Sequence, residues 1–163
     1  MDKKLKRSQA EKIRRRLTKA LQPHGFERTK PSFWTRPADT CVQFIHLHLF
    51  TFQPAFRVHL GIRVLNDPFE ATALNGPNSD EDRSYNLHFH NTDDTAERCN
   101  EELLRYCVEV GMPWFRKWSS LKELISNSES PLRDGARAAL KAALNGKSQE
   151  EDIKQTRALL GLG

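Results

Sequence analysis

The sequence predicts an α+β fold with an N-terminal helix, a four-stranded antiparallel sheet with helices packed on one face, and a C-terminal helical hairpin. Three observations carry this. Apolar residues recur at helical spacing in residues 10–21, the period shortens to two between residues 32 and 65, and helical spacing returns from residue 92 onward. Helix, strands and helices are segregated rather than alternating, which points to antiparallel pairing. With 163 residues and 37% hydrophobic composition, the chain has material for one core.

Taken in order, Ser8-Gln9-Ala10-Glu11 has the form of a capping box, so Ser8 is expected at the N-cap and the first six residues are expected to fray. Ala10, Ile13, Leu17, Ala20 and Leu21 form one stripe, and Pro23 and Gly25 end the helix. Ser32–Arg36 reads as a short strand, Cys41–Phe50 and Ala55–Leu65 as longer ones. With Thr51-Phe52-Gln53-Pro54 as the turn, Phe50 pairs with Ala55. Ile45 then faces Leu60, Leu47 faces Val58 and Leu49 faces Phe56 on one side of the sheet. His46 meets His59, His48 meets Arg57, Phe44 meets Gly61 and Val42 meets Arg63 on the other. A slip of one residue mixes the two sets, so the pattern selects this register.

Residues 66–82 form a long polar loop, and loops of that length are usually functional or mobile. Arg83–His90 is expected as the fourth strand, with Tyr85, Leu87 and Phe89 inward and His88 and His90 joining the histidine face. Thr92 or Asp93 caps a helix that carries Ala96, Cys99, Leu103, Tyr106, Cys107 and Val110 and ends at Gly111. The aromatics of Trp114-Phe115-Arg116-Lys117-Trp118 read as core, and Ser120–Ile125 as a short helix. Residues 1–125 are expected as one domain. Residues 126–163 then form an appendage of two helices, from Pro131 to Leu144 and from a Ser148 capping box to Leu160.

The net charge of +5 is uneven. Residues 1–30 carry eleven Lys/Arg against three acids, whereas the rest of the chain is net acidic. Lys12, Arg15, Arg16 and Lys19 lie mostly off the apolar stripe and form a basic patch suited to an acidic partner or a polyanion. Non-specific nucleic-acid binding through residues 3–19 stays open, but no nucleic-acid fold signature accompanies it. No apolar run is long enough to cross a membrane. The three cysteines include Cys99 and Cys107, about 12 Å apart on a helix, which is too far for a disulfide. A reduced, cytoplasmic protein is the expectation.

The runs Leu21-Gln22-Pro23-His24-Gly25-Phe26 and Phe33-Trp34-Thr35-Arg36 resemble the opening of the bacterial domain of unknown function 4304 family. So do Val42-Gln43-Phe44-Ile45-His46-Leu47-His48 and Phe56-Arg57-Val58-His59-Leu60-Gly61-Ile62. Met112-Pro113-Trp114-Phe115 with Ser119-Ser120-Leu121 is similar to that family's C-terminal part. The likeness spans roughly residues 10–125, and its motifs are specific only as an ensemble. Where this chain has His46, His48 and His59, the family pattern tends to Asn and Gln. The resemblance implies a shared fold and carries no activity across.

The candidate binding residues are therefore His46, His48, Arg57, His59, Arg63, His88 and His90. They suit a protein partner or an anionic ligand, with arginine charge and imidazole donors. Such a face can equally be structural. Two alternatives share the same residues. His-x-His at 46/48 and 88/90 puts imidazoles on one side of a strand, as a zinc site needs, but no carboxylate alternates with them and Arg57 and Arg63 repel a cation. Paired histidines could also act as acid and base on a phosphodiester or nucleic acid, yet only His90-Asn91-Thr92 fits the paired His-x-Thr/Ser arrangement. No catalytic residue, metal or cofactor is assigned. The expected function is a non-enzymatic binding module.

Overall fold

The computed structural model describes residues 1–163. Helix α1 spans Lys3–Leu21 and is followed by the strands β1 (Glu27–Lys30), β2 (Phe33–Ala38), β3 (Cys41–Leu49) and β4 (Phe56–Val64). Helices α2 (Asp93–Tyr106), α3 (Met112–Lys117), α4 (Leu121–Ser126), α5 (Asp134–Leu144) and α6 (Glu150–Leu160) complete an α+β fold. The sheet is antiparallel in the order β1-β2-β3-β4.

The β3–β4 register is the one the segregated faces require. Ile45 pairs with Leu60, Leu47 with Val58, His46 with His59 and His48 with Arg57. Ile45, Leu47, Phe56, Val58 and Leu60 are buried beneath the stripe Ala10, Ile13, Leu17 and Leu21 of α1 and the stripe Ala96, Cys99, Leu103 and Tyr106 of α2. Trp118 and Phe115 belong to the same core, as do Leu132, Ala136 and Leu140 from the C-terminal region.

Several elements depart from the sequence reading. Helix α1 begins at Lys3, because Asp2 rather than Ser8 caps it, its Oδ1 accepting from the Leu5 N–H at 2.9 Å. The basic first turns are good helix formers and are pinned. Lys6 Nζ donates to the carbonyls of Phe50 and Thr51, and Gln9 Nε2 donates to those of His90 and Thr92. Strand β1 is polar and lacks apolar alternation, so it is silent in the sequence. It forms because Gly25 turns the chain at φ 83° and returns it against β2. Gly111 does not end α2. The chain widens into a π turn over Cys107–Gly111 and continues into α3, which places Pro113, with no N–H to donate, in that helix's first turn. Helix α5 starts at Asp134 rather than Pro131, and α6 follows Gln149 without a side-chain cap.

Residues 83–90 are not a strand. They make one bridge, Ala55 with His88, because the outer edge of β4 is already occupied. Leu60 N–H donates to the Pro77 carbonyl, Val58 N–H to Ser79 Oγ and Ile62 N–H to Asn75 Oδ1. The 66–82 loop thus seals a sheet edge that would otherwise be open to pairing.

The two C-terminal helices, joined through residues 145–149, sit on opposite faces. Helix α5 adds Ala136 and Leu140 to the main core. Helix α6 crosses to the other face, where Leu160 packs on Val42 and Phe44. The helices α1–α5 lie on the aliphatic side, and α6 alone covers part of the face that carries the histidines. No helix is long and apolar enough to cross a membrane.

Candidate functional site

The seven residues proposed from sequence separate into three groups. Arg63 is removed by α6 and the start of the 66–82 loop. It is 3% exposed. Its Nε donates to Thr156 Oγ1 at 2.8 Å, Nη1 to the Ala71 carbonyl, and Nη2 to the carbonyls of Asp67 and Phe69. Burial lowers its pKa, with Asp67 acting in the opposite direction. A guanidinium with four acceptors already taken is a structural clamp. It is not available to a ligand.

His88 and His90 lie off the sheet in the 83–90 segment, exposed. His88 Nε2 is 3.1 Å from Gln53 Oε1, and the His90 backbone N–H donates to Thr95 Oγ1. The Thr92 hydroxyl of His90-Asn91-Thr92 caps α2 by accepting from the Thr95 N–H. That motif is therefore a helix start, and it does not join a second histidine pair.

His46, His48, Arg57 and His59 remain together on the uncovered half of the sheet face. His46 and His59 are stacked with ring centroids 6.0 Å apart, and Phe33 lies 4.5 Å from His46. His48 stands edge-on to Phe50 at 5.5 Å, and the Arg57 guanidinium lies 4.8 Å over the same ring. Phe33 and Phe50 are the members sequence reasoning missed. Phe33 was readable by extending the pairing to β2, where it faces His46.

The electrostatics are less cationic than the composition suggests. Burial lowers the pKa of His46, and the neighbouring His59 and His48 act in the same direction. Burial likewise lowers that of His59, with Arg57 adding to it. Both imidazoles are therefore neutral at pH 7. His46 Nδ1 lies 3.1 Å from the Ser32 carbonyl, which can only accept, so Nδ1 carries the proton and Nε2 presents a lone pair. Arg57 Nε is bound by Asp80 Oδ2 from the loop. No three His, Cys, Asp or Glu side chains gather in an arrangement able to hold a metal ion. The three cysteines are free and buried, and burial pushes Cys41 up to about 11 and Cys99 and Cys107 up to about 12, so none offers a thiolate.

The basic patch is partly neutralised. Lys12 Nζ pairs with Asp93 at 3.0 Å, and Arg15, 77% exposed at the side chain, reaches Glu11 at 3.5 Å. Glu11 is also gripped by both terminal nitrogens of Arg28, whose hydrogen bond holds its carboxyl below the usual range. Arg16 and Lys19 form no ion pair and line the same shallow groove along α1. The chain matches no family model, no curated protein and no solved structure.

Proposed function

We propose that the chain is a binding module that receives a segment of a partner protein on the open half of its sheet face, through His46, His48, Arg57 and His59 together with Phe33 and Phe50. One observation carries the reading: three imidazoles and the Phe50 ring lie side by side on the half of the face beyond α6, with Phe33 at the boundary between His46 and the Leu160 cluster. Aromatic and arginine side chains are the types enriched at protein interfaces. With His46 and His59 neutral and Arg57 already held by Asp80, the face offers ring surface and hydrogen-bond acceptors more than charge, which suits a polypeptide better than a free anion. At the turn that ends this half of the sheet, Phe52 is 97% exposed.

The test is photo-crosslinking in the native cell with a benzophenone residue at Phe52, where exposure leaves the fold undisturbed. A discrete adduct is expected, and it should vanish in the His48→Ala/Arg57→Ala variant and persist in Lys147→Ala, a change outside the face. An adduct at twice the chain mass makes the partner a second copy of this chain. An adduct indifferent to both face substitutions refutes the reading.

A further inference from the structure

On the opposite side of the sheet from the histidines, Arg36 lines a cleft between β2, the turn after α1, and α3. The cleft has a volume of about 440 Å³ and is bordered chiefly by His24, Arg36, Gln43, Met112, Phe115 and Arg116. Strand alternation places Arg36 and its partner Gln43 on the helix-covered face, at the end where the helices stop short of filling it.

Arg36 is held in one pose. Its guanidinium carbon lies 4.5 Å from the centre of the Phe26 ring and 5.7 Å from that of Phe115. Nε donates to Gln43 Oε1 and Nη1 to the His24 carbonyl, both at 2.8 Å, while Met112 Sδ lies 3.8 Å from Nη1. Nη2 has no partner. Burial alone depresses the pKa of this group, and no carboxylate offsets it. Arg28, Arg57 and Arg133 each have a carboxylate, on Glu11, Asp80 and Asp67 respectively. Arg116, across the cleft, makes neither a side-chain hydrogen bond nor an ion pair, and no Asp or Glu lines the space.

A half-buried cation without a counter-charge is held at a cost that an incoming anion relieves. With Nε and Nη1 engaged, Nη2 is free to donate to one oxygen of a carboxylate or phosphate and Arg116 to another. Met112 provides an apolar wall beside it, backed by the buried Phe115 ring. We propose that this cleft binds a small organic oxyanion, a carboxylate or phosphate monoester with an apolar body. Its oxygens take Arg36 Nη2 and the Arg116 guanidinium, and its body lies against Met112.

The experiment is calorimetric titration and thermal melting of the full chain at fixed ionic strength. The probes are benzoate, phenyl phosphate, inorganic phosphate and, as neutral control, benzyl alcohol. Benzoate or phenyl phosphate should bind saturably and raise the melting temperature, because a ligand of the native state stabilises it by mass action. Inorganic phosphate should bind more weakly, and benzyl alcohol should not bind. Arg116→Ala, at an exposed position, should weaken binding about tenfold, and Arg36→Gln should abolish it. If Arg36→Gln fails to fold, Arg116→Ala alone decides the matter. Binding unchanged in Arg116→Ala, or no saturable binding at millimolar probe, overturns the proposal. Equal affinity for inorganic and phenyl phosphate overturns the assignment of an organic ligand.

Discussion

Replacing Arg63 should unfold part of the molecule rather than abolish an interaction. In Arg63→Met the aliphatic stem is kept and the guanidinium is lost. Thr156 Oγ1 and the carbonyl oxygens of Asp67, Phe69 and Ala71 then lose their donor. The bonds to Thr156 and Asp67 are buried, and each such orphaned acceptor costs about 1–3 kcal/mol. The acceptors on Phe69 and Ala71 are only partly buried and recover some water. Relief of the guanidinium's own desolvation offsets part of the loss. The net expectation is about 3–5 kcal/mol, a large share of the roughly 5–15 kcal/mol that stabilises a domain. Arg63→Lys should lose about half as much, since a compact ammonium cannot span acceptors on both the loop and α6. Urea denaturation reads the total. Hydrogen exchange should show amide protection falling first in residues 66–72 and 150–160. A loss under about 1 kcal/mol with protection intact would refute the clamp and return Arg63 to the ligand-binding set.

Three further outcomes follow from the geometry. Gly61→Ala drives a Cβ into the Cζ end of the Phe44 ring, so it should destabilise by about 1–3 kcal/mol in urea, and less in a Phe44→Ala background. Burial lowers the pKa of His46 and His59 below the unfolded value of 6.5, so the unfolded chain binds protons first. Stability should be full above about pH 6.5 and fall as pH drops toward the native pKa values, and His46→Gln/His59→Gln should flatten the melting-temperature profile between pH 7.5 and 5.5. Replacing Arg15, Arg16 and Lys19 with Gln should leave the melting temperature within a few degrees and shorten retention on heparin, with the difference shrinking as salt screens beyond about 8 Å at 0.15 M.

The sequence makes the β3–β4 register legible because two independent patterns, aliphatic and His/Arg, demand the same pairing. Burial on the aliphatic side then follows from residue type alone. What it hides is long-range and polar. Nothing in Glu27-Arg28-Thr29-Lys30 distinguishes an edge strand from a loop, because its hydrogen bonds to β2 are made by the backbone. The apolar alternation of Tyr85, Leu87 and Phe89 is real, and Leu87 and Phe89 are buried, yet alternation cannot reveal that residues 75–79 have already taken the β4 edge. Arg63 sits in the same alternation as Arg57 and His59, so its type fits a binding face equally well. The fold of the 67–71 loop around it and the position of Thr156, far along the chain, separate the clamp from the open site. Arg36 is not legible in the sequence because its significance is an absence of carboxylate around it in space.

The open half of the sheet face has a geometric cause. Helix α6 does not run along the strands. Thr156 meets Arg63 on β4, Leu160 packs on Val42 and Phe44 of β3, and the Leu160 carbonyl accepts from Thr29 Oγ1 on β1. The helix therefore passes across the sheet from β4 toward β1 and ends there. Gly161, at φ 70°, lies so close to the Thr29 carbonyl that a Cβ would overlap it. A helix with side chains is about 10–12 Å wide, and a strand advances about 3.3 Å per residue, so a transverse helix shades about three residues of each strand. That band matches Val42, Phe44, Gly61 and Arg63, the residues of β3 and β4 on this face that are buried. Strands β3 and β4 are nine residues long, so one such helix leaves the rest of their length bare. The residue types change at that boundary. Val42, Phe44, Gly61 and Arg63 under the helix give way to His46, His48, Arg57 and His59 beyond it, so the same crossing that makes Arg63 structural leaves the other four facing outward.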